Sequence, residues 1–159
     1  MNTQKIPKIS DELYNDIFQL AKKSIRHRHA HILHKTGAEF NEVFNLMLNN
    51  SYMHPHLHPS AEKIEEIHIL RGSVCFFFFD DYGNIMEKIN LRAEEENFIS
   101  VPAFSWHTYV ITSEVVLTYE TMMGKYDPKT WKTLAKWAPE EQSGNSFIYL
   151  QDLKNHVKF

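Results

Sequence analysis

The most informative part of this sequence is His54-Pro-His56-Leu-His58, which is followed by Glu65 and, much later in the chain, by His107. In a β-strand, side chains two residues apart point to the same face, so His56 and His58 present two imidazole nitrogens to one point. His54 has the same parity and is a third candidate for these two positions. Glu65 can return on an adjacent antiparallel strand and bring its carboxylate beside the pair, and His107 can add a further ligand. The pattern therefore predicts a metal site built from imidazoles and one carboxylate.

The ligand types restrict the metal without naming it. Imidazole and carboxylate groups suit Fe(II), Mn(II), Ni(II), Co(II), Cu(II) and Zn(II), and the affinity order of these ions does not decide which one a protein holds. We therefore predict one divalent transition metal ion of unspecified identity as the cofactor. The competing interpretation is a histidine-rich surface loop without a metal.

Composition and charge exclude several classes of protein. The chain has 159 residues, of which 43% are hydrophobic and 23% charged, as in one ordinary globular domain. Its aromatic content of 13% favours strands over helices. A net charge of −3 provides no basic field for phosphate backbones, so we expect no nucleic-acid partner. The first residues lack the apolar core of a signal peptide, and no stretch approaches the ~20 apolar residues of a membrane helix, so we predict a cytoplasmic protein without a membrane partner.

The pattern along the chain predicts a single domain over residues 1–159. Residues 1–25 form an N-terminal helical extension, in which Ser10 is the N-cap of an amphipathic helix. Residues 29–122 contain short apolar or alternating runs that predict a small antiparallel β-barrel, mostly β in class. Residues 123–159 form a C-terminal segment that packs on the barrel.

A run of phenylalanines bears on the oligomeric state. Val74-Cys-Phe-Phe-Phe-Phe79 leads into the turn-forming stretch Asp80-Asp-Tyr-Gly-Asn84, which predicts a β-hairpin. Because the run is apolar on both faces, both faces must be covered, one by the domain interior and the other by a further layer or a second subunit. We therefore predict a homodimer.

Two segments resemble the conserved motifs of the cupin superfamily. The segment from Asn50 to Gly72 is similar to the first motif, with Asn50 where cupins have a glycine, the histidine pair HxH, and a glutamate before a closing glycine. Asparagine also visits the left-handed backbone conformation that a glycine turn uses. Pro102-Ala-Phe-Ser-Trp-His107 is similar to the second motif, PxGxxH, with Phe104 in the glycine position.

A narrower resemblance extends from about Arg26 to Glu141. Several separated segments in the same order are similar to the WbuC family of cupin-fold metalloproteins, which is found among bacterial genes for O-antigen and other surface polysaccharides. These segments are Tyr52–Pro59, Glu65 with Leu70-Arg-Gly72, Phe79–Gly83, Trp106-His-Thr108, Lys125–Pro128 and Trp137–Glu141. The resemblance implies a cupin or jelly-roll-like fold and a metal held by His56, His58, Glu65 and His107. It also implies that His54 is a pocket residue and not a ligand.

The implied setting favours a reaction on a carbohydrate or a nucleotide-sugar. A divalent metal in an open barrel can polarise a carbonyl while a base moves a proton between adjacent carbons, which is isomerase or epimerase chemistry. His54 and Tyr109 are the candidate catalytic residues, with His68 a weaker alternative.

The sequence also offers candidate residues for substrate binding and two alternative functions. Four residues are candidates for contact with an anionic small-molecule substrate: Arg26, Arg28, Lys125 and Tyr126. One alternative function is an Fe(II)-dependent dioxygenase. The other is a non-catalytic module that binds a metal or a saccharide.

Overall fold

A computed structural model gives the structure of residues 5–157. Residues 1–4 and 158–159, the ends of the predicted N-terminal extension and C-terminal segment, lie outside the described residues. The elements are, in chain order, α1 (Asp11–Lys23), β1 (Arg28–Ile32), β2 (Phe40–Leu48), β3 (His56–Leu57), β4 (Glu65–Arg71), β5 (Ser73–Phe79), β6 (Ile85–Arg92), β7 (Phe98–Val101), β8 (Trp106–Ile111), β9 (Val115–Met123), β10 (Thr133–Leu134) and α2 (Ser146–Asn155).

The strands form two five-stranded antiparallel sheets. Sheet A has the order β1-β2-β9-β4-β7, and sheet B has the order β10-β3-β8-β5-β6. Within the described part of the chain no strand pairing joins the two sheets, so the predicted small antiparallel barrel takes the form of two sheets that face each other. Gly72, at φ +81°, carries the chain from sheet A to sheet B between β4 and β5. A Cβ at this position would lie 2.2 Å from the carbonyl oxygen of Val115, so only glycine fits the crossing.

Helix α1 covers the outer face of sheet A. The predicted N-cap is confirmed, because the Ser10 hydroxyl accepts a hydrogen bond from the backbone N–H of Leu13. Ile17 and Ala21 are buried against Phe44 and neighbouring apolar residues of the sheet. Within residues 5–157, no helix has the length and apolar character needed to cross a membrane.

The phenylalanine run alternates between the interior and the outer face of sheet B. Its strand β5 pairs with β6 as the predicted hairpin. Phe76 faces the space between the sheets, whereas Phe77 packs on the outer face against Leu150 and Leu153 of α2. The chain's own C-terminal helix therefore supplies the further layer that the sequence required. The homodimer stays an untested prediction, and the apolar run no longer supports it.

The space between the sheets has two unlike ends. At one end lies a buried apolar cluster that includes Phe76, Ile111 and Val116. At the other end the inward-facing residues are polar: His56, His58, Glu65, His107 and Glu120. The polar end opens to solvent and is described next.

Candidate metal centre

Four side chains converge at the polar end, and they are the four that the cupin resemblance implies. One possible ligand atom from each of His56, His58, Glu65 and His107 lies within 4.8 Å of the others. The pairing of β3 with β8 places His56 directly beside His107. Glu65 does not lie on an adjacent strand, as the sequence suggested, because β4 belongs to sheet A and its carboxylate reaches across the interior.

Each of the three imidazole rings is fixed by a backbone carbonyl. The Nδ1 atoms of His56, His58 and His107 lie 2.9, 2.9 and 2.8 Å from carbonyl oxygens of His54, Trp131 and Ser105, respectively. A carbonyl oxygen only accepts, so each Nδ1 must carry the hydrogen. This arrangement turns the Nε2 atoms toward one another and is the usual support of metal-binding histidines.

The donor atoms of the cluster lie so close together that protons or a metal ion must lie between them. The Nε2 atoms of His58 and His107 lie 3.1 and 3.3 Å from one carboxylate oxygen of Glu65. Burial disfavours the charged form of Glu65, but the hydrogen bonds from His107 and His58 outweigh it and hold its pKa below the usual range. Burial lowers the pKa of His56 well below its usual value, which leaves its Nε2 lone pair free. Lone pairs and a carboxylate so close repel one another unless protons or a metal ion lie between them, so the donor set fits a divalent metal.

His54 is buried but separate from this cluster. Its Nε2 lies 2.7 Å from the carbonyl oxygen of Ala135, to which it donates a hydrogen bond. Its ring stacks on Tyr52 with the ring centroids 6.5 Å apart. This nitrogen carries the hydrogen and has no lone pair to accept a proton, so the predicted role of His54 as a base would have to use Nδ1.

Arg26 and Arg28 both bind Glu141 of the C-terminal segment. Arg26 Nε lies 2.8 Å from the Glu141 carboxylate, and the buried Arg28 makes a second ion pair with it. Arg28 also donates to the hydroxyl of Ser51 and the carbonyl of Tyr52. The observed role of these arginines is to tether the C-terminal segment to β1. Their contact with substrate stays a prediction, and these ion pairs oppose it.

A cavity of about 300 Å³ opens beside the cluster. Its lining includes Glu65, Glu120, Tyr126 and Trp131, so the predicted substrate residue Tyr126 does face this space. Lys125 lies outside it, 3.7 Å from a carboxylate oxygen of Glu39. The cavity gives a small molecule access to the edge of the candidate metal centre.

Glu120 is a functional candidate that sequence reasoning missed. It is buried on β9, faces the cavity, and accepts hydrogen bonds from the Tyr109 hydroxyl at 2.9 Å and from Asn45 Nδ2 at 3.2 Å. Burial, assisted by the charge of Glu65, raises the pKa of Glu120 to about 7. The signal was a lone carboxylate inside the apolar strand Val115–Met123. Tyr109 is itself buried, and burial raises the pKa of its hydroxyl well above the usual value. Its hydroxyl therefore keeps its hydrogen and donates it to Glu120, which opposes the predicted role of Tyr109 as a catalytic base.

The turn before His107 has the glycine-like geometry of the second cupin motif without the glycine. Phe104 has φ +62°, and its backbone N–H donates to the carbonyl of His58 at 3.0 Å. This bond joins the loop of the second motif to the histidine pair of the first. Asn50, in contrast, is not among the described residues with positive φ, so the left-handed turn expected there does not form.

Solved structures share this fold at low sequence identity. CapF, the capsular polysaccharide assembling protein of Staphylococcus aureus, aligns with a TM-score of 0.53 and 12% identity over 67% of this chain and 32% of CapF. Protein SO0799 of Shewanella oneidensis aligns with a TM-score of 0.57 and 9% identity over 76% of this chain and 82% of its own. Peruvianin-I, a cysteine peptidase from Thevetia peruviana latex, aligns with a TM-score of 0.52 and 8% identity over 67% of this chain and 66% of its own.

These likenesses show the fold alone. The chain spans about a third of the length of CapF. No curated protein sequence matches the chain. A family model does match residues 9–91, about half of the chain, and this segment contains three of the four converging side chains. The chain therefore belongs to the family described as Domain of unknown function (DUF6016).

Proposed function

We propose that the chain is a cytoplasmic, metal-dependent isomerase or epimerase that moves a proton within a carbohydrate or nucleotide-sugar during the synthesis of bacterial surface polysaccharide. The observation that carries the proposal is a cavity at the edge of the four-ligand cluster, lined both by Glu65 of the cluster and by a separate buried carboxylate, Glu120. Proton transfer next to a carbonyl needs both an electrophile and a base, and this cavity offers a place for each.

His56, His58, Glu65 and His107 are the residues that would hold the metal. A divalent ion bound there would supply Lewis acidity that polarises a carbonyl oxygen. The chain's own residues orient the four ligands, because three backbone carbonyls fix the rings and Glu65 approaches from the opposite sheet. A cluster held in this way needs little rearrangement to bind an ion.

We assign the proton transfer to Glu120. Its carboxylate takes a proton from the carbon next to the carbonyl, and the electron pair of the broken C–H bond moves to the carbonyl oxygen. The carboxyl group formed in this way exchanges its proton with solvent and then returns a proton to one of the two carbons. Tyr109 and Asn45 are positioning residues, because their hydrogen bonds fix the direction of the carboxylate. A carboxyl group with a pKa near 7 suits a base that must also release its proton at neutral pH.

The setting in polysaccharide synthesis rests on the resemblance to the WbuC family. The likeness in fold to CapF, a capsular polysaccharide assembling protein, is consistent with it. Both supports concern the biological setting, and the reaction class rests on the cavity.

The test is hydrogen exchange with solvent. Metal-loaded protein is incubated in D₂O with a panel of nucleotide-linked keto-sugars, and deuterium next to the carbonyl is measured by NMR and mass spectrometry. We expect deuterium incorporation that Glu120→Gln lowers by at least about a hundredfold, the usual contribution of a general base. Glu114→Gln, which removes an exposed carboxylate outside the cavity, is the matched control and should keep full exchange.

Two outcomes would overturn the proposal. One is the absence of both deuterium incorporation and product with every sugar and every metal tested. The other is oxygen uptake with iron but not with zinc, which would assign the site to the oxidative chemistry of a dioxygenase.

A further inference from the structure

A second cleft, of about 530 Å³, lies next to the cavity and is lined by lysines. The four lysines in its lining are Lys63, Lys125, Lys129 and Lys132. The only carboxylate in this lining is that of Glu62. Because the whole chain carries a net charge of −3, this cluster of positive charge is a local feature and not the general character of the surface.

Lys125 faces Glu39, but the charges of the other three lysines are poorly compensated. The Lys63 side chain is only 6% exposed, yet its ammonium group donates one hydrogen bond, to the carbonyl of Thr130 at 2.8 Å. Across residues 5–157, no carboxylate lies within ion-pair distance of Lys63, Lys129 or Lys132. A buried ammonium group ordinarily has an anionic partner, since desolvation of an unpaired charge is costly. Three of the four lysines of the cleft therefore have no ion-pair partner among the described residues.

Trp131 separates the cleft from the candidate metal centre. The ammonium group of Lys63 lies 5.1 Å from the centroid of the Trp131 ring, and the ring of His58 lies 6.2 Å from it. The carbonyl of Trp131 also accepts the hydrogen bond from His58 Nδ1. An anion in the cleft would thus lie one side chain away from the metal ligands.

Lys132 lines the cleft and follows Trp131 directly in the chain. It precedes β10, whose Thr133 pairs with Leu57, so its backbone continues alongside His58. The side chain is solvent-exposed, so it can contact a ligand at the mouth.

We propose that this cleft binds the phosphate groups of a ligand whose uncharged part enters the neighbouring cavity. Lysines bind phosphate as flexible point charges, and several of them suit a diphosphate better than a single phosphate. The placement of the uncharged part in the cavity rests on the proposed function. If both hold, the substrate is a sugar phosphate or a nucleoside diphosphate sugar. The anion site itself stands on the lysines and on their missing partners.

Isothermal titration of the full chain with inorganic diphosphate tests the anion site. We expect binding that weakens as salt rises, and Lys129→Gln and Lys132→Gln each to weaken it about tenfold, as expected for one lost charge-assisted contact. Lys136→Gln removes an equal charge from an exposed position of the same segment and should leave the affinity unchanged. Inorganic phosphate should bind more weakly than diphosphate.

Repeating the titration after the metal is removed with a chelator separates this site from the metal centre. We expect diphosphate binding to persist without metal. Binding that disappears with the metal, or that both lysine variants leave unchanged, would overturn the proposal. Lysine-dependent binding without any deuterium exchange in the sugar panel would leave the anion site standing and refute the proposed reaction.

Discussion

The two ends of the space between the sheets are built from the same strands and have opposite character. On β8 the inward-facing residues change from His107 at the open end to Ile111 at the closed end, and on β9 they change from Glu120 to Val116. The closed end buries apolar area, which stabilises the fold. The open end buries imidazoles and carboxylates, which costs stability unless they bind something. One end of each of these strands therefore stabilises the fold, and the other end forms the candidate site.

The largest effect is expected when the apolar end is damaged. Phe76 is fully buried there, so Phe76→Ala should lower the free energy of unfolding by about 3–5 kcal/mol through lost burial and a residual cavity. Urea denaturation measures the change. Phe147→Ala removes the same atoms from a side chain that is 67% exposed on α2 and should cost under about 1 kcal/mol. If the two variants lost equal free energy of unfolding, the apolar end would not be the stabilising part of the fold.

The stability cost of the polar end should depend on pH, because it contains the buried carboxylate Glu120. The pKa of Glu120 is raised in the folded protein to about 7, so the folded state binds this proton more tightly than the unfolded state. Stability from this group is therefore present below the unfolded pKa near 4.5 and is lost as pH rises toward 7. In metal-free protein, Glu120→Gln should be more stable than the parent at pH 8, by on the order of 3 kcal/mol.

That advantage should disappear at pH 4. Urea denaturation of both proteins at the two pH values measures it, with the exposed Glu94→Gln as a control that shows no such difference. A Glu120→Gln variant that is less stable than the parent at pH 8 would mean that the carboxylate is stabilising where it lies.

Metal binding at the polar end should raise the free energy of unfolding. Zn²⁺ at about a hundred times its Kd should raise the free energy of unfolding by about 2.7 kcal/mol, and one ion should bind per chain. Glu65→Gln should abolish most of this gain. Glu66→Gln is the control, because it lies on the same strand and is not part of the cluster. Thermal unfolding with and without a chelator, together with elemental analysis, measures the result.

The smallest effect concerns the backbone at the open end. A left-handed conformation costs a residue with a Cβ roughly 1–2 kcal/mol, and Phe104 has this conformation while its side chain is 59% exposed. Phe104→Gly should relieve the cost and stabilise the chain by up to about 1 kcal/mol, after the entropy that glycine loses on folding. Phe98→Gly, within a regular strand, should destabilise it. A destabilised Phe104→Gly variant would show that the exposed ring makes contacts of its own.

The sequence predicted much of the site and less of its surroundings. The spacing of His56 and His58, with the cupin resemblance, identified the four side chains that the structure brings together. The Ser10 cap and the β5–β6 hairpin were confirmed, because caps and hairpins depend on residues close in sequence. Helix α2 and the pairing of Arg28 with Glu141 were not predicted.

The alternation of side chains along each strand and the types of ligand follow from the sequence alone, because both depend on only a few neighbouring residues. Only the tertiary structure decided which strands face each other. It placed Glu65 on the sheet opposite the histidines, brought Glu120 into one cavity with Glu65, and gathered the lysines beside Trp131. These contacts join residues far apart in the chain, and no local pattern encodes them, since they form only when both sheets bury their inner faces against each other.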